Sequence, residues 1–384
     1  MKWEIPESIK EIVNALEAGG FESYLVGGCV RDRLLGLSPS DYDICTAARP
    51  EQMKDCLSDM KIVETGLKHG TLTIVNRGTA CEVTTFRQEG PYTDKRRPDH
   101  VYFTACVDQD LARRDFTINA MAYGKKGLID LFGGRRDLAA GVIRTVGSAE
   151  QRFDEDPLRI LRALRFAARL DFTIDEATFS AMQNKKALLK TLAAERVASE
   201  LTGLVQGRAV QRVSEQALEI LSVVIQNPCV VPDSLIQDPC VRLAALCRND
   251  PGAPARLKLS KQMGACMQTL AGFDAPLPQT EPEALFLLGK LGVKQAVLLC
   301  EYRQDSRALS LVKQVYKSKK PYKIAQLAVK GEDLKRLGLS GPEIGAALEA
   351  LLNMVIRGEL NNQKKAMISY LSQRSFAQSE GPGK

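Results

Sequence analysis

Tyr24-Leu25-Val26-Gly27-Gly28-Cys29-Val30-Arg31-Asp32, followed by Leu34-Leu35-Gly36 and then Ser40-Asp41-Tyr42-Asp43-Ile44, is the stretch on which the reading of this chain turns. Alternate side chains on a strand share a face, so Asp41 and Asp43 are expected to point the same way. Two carboxylates held side by side repel each other unless a cation lies between them, and Mg²⁺ is the usual partner for oxygen ligands. A Gly-Gly turn just upstream lets bare backbone N–H groups come close to phosphates. Together these parts predict metal-assisted nucleotidyl transfer, with Asp41 and Asp43 as the catalytic metal ligands.

Gly-Gly alone marks a turn, and Asp-x-Asp alone is common in solvated loops. In this order and spacing they resemble the start of the nucleotidyltransferase domain shared with the DNA polymerase beta superfamily. At 384 residues the chain exceeds one typical domain, and about 150 residues per domain suggests two or three. No apolar run reaches the ~18 residues needed to span a bilayer. Met1-Lys2-Trp3-Glu4 leads into charged residues and not an apolar leader, which argues against export. The ten cysteines show no Cys-x-x-Cys spacing, and with two histidines they do not suggest a zinc site. They read as reduced core residues of a cytoplasmic protein. A net charge of +7 suits a polyanionic partner without establishing one.

Residues 5–19 carry apolar side chains at helical spacing (Ile9, Ile12, Val13, Leu16) and stop at Gly19-Gly20. Strands are expected at Ser23–Val26 and Asp41–Cys45. Two more, Thr71–Val75 and Cys81–Phe86, flank a hairpin turn at Asn76-Arg77-Gly78. Asp108 reads as the N-cap of a helix from Asp110 to Met121, and Gly127–Asp130 as a short strand. The first ~145 residues are therefore mixed α/β. Beyond a boundary in Thr145–Ser148 the chain reads as all helical, with Pro-containing breaks at Pro228–Pro239, Pro251–Pro254 and Phe273–Pro282.

Glu82, in the second strand of the hairpin, is either a third ligand for the same cations or a structural partner for an arginine. In the expected helix, Asp115 and Asn119 are four apart and share a face. An acceptor beside an amide can bracket a ribose hydroxyl, and Arg114 can hold triphosphate oxygens in a bidentate fork. Asp156 before Pro157 reads as an N-cap followed by proline at the first helical position. From there Arg159, Arg162 and Arg165 fall within a ~120° arc, without matching acidic partners downstream. Cytosine and adenine present an amine donor beside a ring-nitrogen acceptor; guanine and uracil present a carbonyl beside an N–H. An acceptor-only Asp156 next to a donor-only Arg159 therefore suits C and A and opposes G and U. Each mismatch would leave a buried polar group unpaired, at about 1–3 kcal/mol. Only His69 and His100 are available as imidazoles, and metal-assisted transfer requires neither as a base.

These segments resemble the bacterial class II tRNA nucleotidyltransferases, the CCA-adding enzymes. The matching pieces are Gly27–Asp32, Asp41-Tyr42-Asp43, Thr85–Pro98, Arg113–Ala120, Glu155-Asp156-Pro157-Leu158-Arg159 and Glu195–Leu201. Leu327–Leu334 and Gly341–Gly345 also match. The resemblance implies an α/β nucleotidyltransferase head at 1–146 and an all-α remainder: a neck at 147–210, a body at 211–310 and a tail at 311–384. It implies Mg²⁺ on Asp41 and Asp43, and triphosphate contacts from Gly28, Arg31 and Arg114. Asp156 and Arg159 resemble the pair that reads the incoming CTP or ATP, with Arg162 and Arg165 adjoining. The partners would be CTP, ATP and the acceptor–TΨC arm of tRNA, for a cytoplasmic monomer or homodimer. CC-adding and A-adding enzymes and bacterial poly(A) polymerases share most of these residues. The charged loop Tyr92–Pro98, with Asp94 and Arg97, favours full CCA addition. A reading from another class is a non-catalytic RNA binder using the basic segment Lys313–Lys323 with Tyr316 and Tyr322.

Overall fold

Ile9, Ile12 and Leu16 recur on one face of α1 (Glu7–Ala18) and are fully buried, which seats the helix on the sheet that follows it. The structure is a computed structural model and describes residues 3–89 and 101–379. Two compact units make up the chain, one formed by residues 1–233 and 246–259, the other by 234–245 and 260–384.

In the first unit, β1 (Ser23–Val26) is buried along its whole length. It runs into α2 (Gly28–Leu34), β2 (Asp43–Thr46) and α3 (Pro50–Cys56). Next come β3 (Lys61–Gly66), β4 (Thr71–Asn76) and β5 (Thr79–Thr85). Arg77 and Gly78 both take positive φ, 49° and 79°, the left-handed pair that closes a two-residue hairpin. A small ribbon of β6 (Arg87–Glu89) and β7 (Val101–Phe103) precedes α4 (Val107–Ala112), β8 (Ala122–Gly124) and β9 (Gly127–Ile129). Seven of these strands form one sheet in the order β3-β4-β5-β2-β1-β8-β9, with β2 and β5 parallel and the other pairs antiparallel. Helices dominate from there: α5 (Gly134–Ala140), α6 (Ala149–Glu155), α7 (Leu158–Leu170), α8 (Glu176–Lys185) and α9 (Ala194–Val205). One two-residue parallel pair, β10 (Val142–Ile143) with β11 (Thr173–Ile174), is the last β structure among the described residues, and β11 departs from the all-helical reading of this part. The expected fold class, a mixed-sheet α/β head followed by helices, is the one observed.

Two expectations need correction. The strand expected at Asp41–Cys45 starts at Asp43, because Val26 opposite Asp43 is the last rung of the β1–β2 ladder and Gly27 turns the chain away from it. The helix expected at Asp110–Met121 is instead α4, which stops at Ala112, and a single 3₁₀ turn at Thr117–Asn119; nor is Asp108 its cap, since the helix starts at Val107. Tertiary pairing claims the intervening backbone: Phe116 bridges Thr145, Thr117 N–H donates to Arg144 O and Val146 N–H to Asp115 O. Those bonds outweigh a local propensity of tenths of a kcal/mol per residue (~0.5).

The second unit is built from helices, among them Lys261–Gly272, Glu281–Tyr302, Ser306–Lys317 and Pro342–Ile356. Gly292, with φ 74°, breaks the second of these into two segments. Leu327, Val329, Leu334, Leu348, Leu351 and Met367 form a core for its C-terminal part. Cys240 and Cys266 are joined in a disulfide and the other eight cysteines are free, which corrects the expectation that all ten are reduced. The two helices that carry them bring their Cα atoms within 6.6 Å, a proximity that 26 residues of separation does not reveal. Among the described residues, no helix is long and apolar enough to cross a membrane.

Candidate active site

Gly27 ends β1 with φ 72° and ψ −129°, a left-handed backbone that glycine adopts at little cost. A Cβ there would also lie 3.1 Å from Arg114 Nη1 and 3.9 Å from Asp43 Oδ2. The bare backbone at Gly27-Gly28 thus forms one wall of a cavity of 290 Å³ whose opposite walls include Asp41 and Asp43. Asp41 sits outside the strand yet lines the same cavity, its Oδ1 accepting from Ser40 Oγ at 2.9 Å. Asp43 stands beside Glu82 in the parallel β2–β5 register.

Burial first, and then the negative charges of Asp41 and Glu82, push the Asp43 carboxyl up to about 6 against the opposing pull of Arg114. An acidic pair short of positive charge is what a divalent cation fits. Among the described residues no three His, Cys, Asp or Glu side chains converge as a metal site. Asp41 and Asp43 therefore stand as a pair, with Glu82 exposed alongside.

The remaining walls are held by a continuous polar chain. Arg31, on α2, donates from Nε to Asp32 Oδ1 at 2.8 Å and from Nη1 to Asn119 Oδ1 at 2.8 Å. Asn119 Nδ2 donates to Asp115 Oδ1 at 3.2 Å, and Asp115 Oδ2 accepts from Arg162 Nε at 2.8 Å. Arg165 Nε donates to Glu200 Oε2 at 2.6 Å. Asp115 and Asn119 do meet, through the 3₁₀ turn and not through one helical face. Burial opposes ionisation of Asp115, but the adjacent Arg162 guanidinium holds its carboxyl below the usual range. Behind them, the Phe166 ring gathers Arg31, Arg162 and Arg165, with guanidinium carbons 5.3, 5.5 and 4.4 Å from its centroid. Such contacts add about 0.5–2 kcal/mol each where desolvated.

A second cavity, of 360 Å³, opens at the start of α7 and shares Arg114, Asp115 and Arg162 with the first. Asp156 lies between α6 and α7 in extended conformation, with Pro157 at the capping position and the helix beginning at Leu158. Its Oδ1 accepts the Leu158 N–H at 3.0 Å, but Pro157, expected as the first helical residue, is the N-cap, so the helix begins one residue later than expected. Asp156 Oδ2 accepts from Arg196 Nη2 at 2.8 Å. Arg159 Nη1 donates to Glu155 Oε2 at 2.6 Å and to Arg152 O at 3.2 Å, and its Nη2 to Arg113 O at 3.2 Å. The arginine stripe, expected to lack matching acidic partners downstream, has one there, Glu200, and two upstream. Arg159, Arg162 and Arg165 meet Glu155, Asp115 and Glu200 respectively, supplied by the end of α6, the segment before β8, and α9.

All the site residues expected from the sequence line one or both cavities: Gly28, Arg31, Asp41, Asp43, Asn119 and Arg165 the first, Asp156 and Arg159 the second, Arg114, Asp115 and Arg162 both. Sequence reasoning missed Asp32, Glu155, Arg196 and Glu200, which fix those groups in place. Glu155 was legible as an i,i+4 partner of Arg159; Arg196, forty positions from Asp156, was not. The Tyr92–Pro98 loop, with Asp94 and Arg97, lies outside the described residues.

Residues 23–144 match the family described as Poly A polymerase head domain. Residues 171–219 match the probable RNA and SrmB-binding site of polymerase A, and 256–371 a tRNA nucleotidyltransferase domain 2. The CCA-adding enzyme of Limosilactobacillus fermentum is 34% identical over 383 residues, 94% of this chain and 95% of that protein. This chain belongs to the bacterial CCA-adding enzymes. The CCA-adding enzyme of Lactiplantibacillus plantarum is 35% identical, with 95% of each chain covered. Among solved structures, the Bacillus stearothermophilus CCA-adding enzyme in complex with CTP superposes with a TM-score of 0.83 at 29% identity, covering 98% of this chain and all of that one. The family resemblance drawn from the motifs thus extends over nearly the whole chain, including residues 215–310, where none of those motifs lies.

Proposed function

We propose that this chain adds and repairs the 3′-terminal CCA of tRNA, using CTP and ATP and releasing pyrophosphate, without a nucleic-acid template. One observation carries the reading: two cavities share the Arg114–Asp115–Arg162 wall, one bounded by Asp41 and Asp43 and the other by Asp156 and Arg159. A nucleoside triphosphate laid across that wall would put its phosphates at the acidic pair, its ribose at Asp115 and Asn119, and its base at the donor–acceptor pair.

The tRNA 3′-hydroxyl oxygen bonds to the α-phosphorus, the α–β bridging bond breaks, pyrophosphate leaves and the hydroxyl proton passes to solvent. Asp41 and Asp43 would hold Mg²⁺, which supplies activation of the hydroxyl and charge compensation at the triphosphate. Gly28, Arg31, Arg114, Arg162 and Arg165 neutralise and orient the phosphates. Asp156 accepts from the exocyclic amine of C or A while Arg159 donates to the ring nitrogen. We assign residues 1–146 as head, 147–210 as neck, 211–310 as body and 311–384 as tail, the last two holding the tRNA acceptor–TΨC arm.

The test supplies tRNA ending at its discriminator base with each labelled nucleoside triphosphate, singly and combined. Ordered addition of two C and then one A is expected. Stopping after CC, requiring a CC end, or making long A tails would replace the reading with CC addition, A addition or poly(A) synthesis. No incorporation at all, with RNA still bound, would favour a non-catalytic RNA binder.

A further inference from the structure

We propose that Asp110 is a positioning residue that keeps Arg114 aimed at the wall common to the two cavities and away from Asp43. The inference rests on the reading of Arg114 as a triphosphate contact. Asp110 lies in α4 and is fully buried. Its Oδ1 accepts from Arg113 Nε at 3.0 Å, Arg113 Nη2 at 2.7 Å and the Arg87 N–H at 3.3 Å. Its Oδ2 accepts from Arg114 Nη2 at 3.1 Å.

Two guanidiniums on one dry carboxylate form an expensive arrangement, since each buried ion loses several kcal/mol of hydration (~5). It is retained where it fixes something. Here it fixes the start of the segment that supplies both cavities: Arg113 offers its backbone oxygen to Arg159, and Arg114 lines both spaces. Among the described residues, Arg114 Nε is buried without a hydrogen-bond partner, so the single bond from Nη2 to Asp110 Oδ2 is a contact that orients the side chain.

Another carboxylate within Arg114's influence is Asp43, whose ionisation it already favours. A Cβ on Gly27 would come within 4 Å of both groups, so the gap between them is small. An arginine released from Asp110 has four free torsions and Asp43 among the carboxylates lining the cavity it faces. Pairing with Asp43 would occupy the carboxylate needed for a cation and withdraw the cation needed for phosphate. Asp110 thus keeps the positive and negative halves of the phosphate cavity apart. On the reading of Arg114 as a triphosphate contact, the effect should be the same for both bases.

The full-length protein carrying Asp110→Asn, Arg114→Ala or both is compared by calorimetric titration with CTP and ATP, by steady-state kinetics and by thermal midpoint. Asp110→Asn should weaken binding of both nucleotides by the same factor, about tenfold for a charge-assisted contact, with the C-to-A preference unchanged. In the Arg114→Ala background it should add less than about twofold, as expected for residues acting through one another. Should Asp110→Asn fail to fold, Asp110→Glu, which retains the charge, should bind both nucleotides with a smaller, again equal, loss. Additive losses, or a changed C-to-A preference, would overturn the proposal. If Arg114→Ala alone leaves nucleotide binding intact, the triphosphate assignment of Arg114 fails and this inference fails with it.

Discussion

The cavity at the end of β1 and the cavity at the start of α7 share Arg114, Asp115 and Arg162, but they treat their charges in opposite ways. At the first, burial and the charges of Asp41 and of Glu82 on the neighbouring strand push the Asp43 carboxyl up to about 6, against the pull of Arg114. That is a site left open for a ligand's charge. At the second, each reading group is already tied down: Asp156 by Arg196 and the Leu158 amide, Arg159 by Glu155 and two backbone carbonyls. Fixed donors and acceptors can tell one base edge from another because they cannot rotate to suit the wrong one. On the proposed function, rate would belong to the first cavity and choice to the second.

The sharpest attempt to break that division is Asp43→Asn. Removing one of the two proposed metal ligands should reduce C and A incorporation alike, by about a thousandfold or more if several kcal/mol of charge stabilisation are lost. Single-turnover incorporation of each nucleotide checks it, and a loss confined to one nucleotide would merge the two roles. Next in size is the exchange Asp156→Arg with Arg159→Asp, which should turn preference toward U and G by about tenfold to a hundredfold. The structure adds a condition: the exchanged groups would face Arg196 and Glu155 with like charges. Adding Glu155→Gln and Arg196→Gln should make the switch more complete. Unchanged selectivity in competition assays with all four triphosphates would remove Asp156 and Arg159 from the reading role.

How much of this was legible depended on how local the cause was. The buried stripe of α1, the Arg77-Gly78 hairpin and the acidic pair after Gly27-Gly28 are set by neighbours a few residues away, and the sequence displays them. The segment Arg113–Asn119 is different. Its charged run reads as helix by propensity, yet its backbone bonds go to Arg144, Thr145 and Val146, which no window of adjacent residues contains. The same holds for the arginines of α7, whose spacing was plain but whose partners Asp115 and Glu200 arrive from other elements. Which residue types make the site can be read along the chain; what holds each of them still cannot.

Asp115 tests the boundary itself, because it belongs to both cavities. Its carboxyl is held below its ordinary value by Arg162, against the effect of burial, whereas an unfolded aspartate titrates near 3.9 (about). A depressed folded value means that the unfolded chain takes up the proton first as pH falls. The stability Asp115 contributes is therefore complete above about pH 4–5 and is lost as pH drops through the lower folded value. Asp115→Asn should then cost about 1–3 kcal/mol at pH 7, and the difference from the unsubstituted protein should narrow steadily below pH 4 in urea unfolding. Nucleotide binding by the same variant should fall equally for CTP and ATP, since the proposed binding mode places the residue at the ribose and not at the base edge. A cost that stays constant with pH would mean that the Arg162 pair does not set this carboxyl. An unequal loss for the two nucleotides would mean that the shared wall takes part in choosing the base.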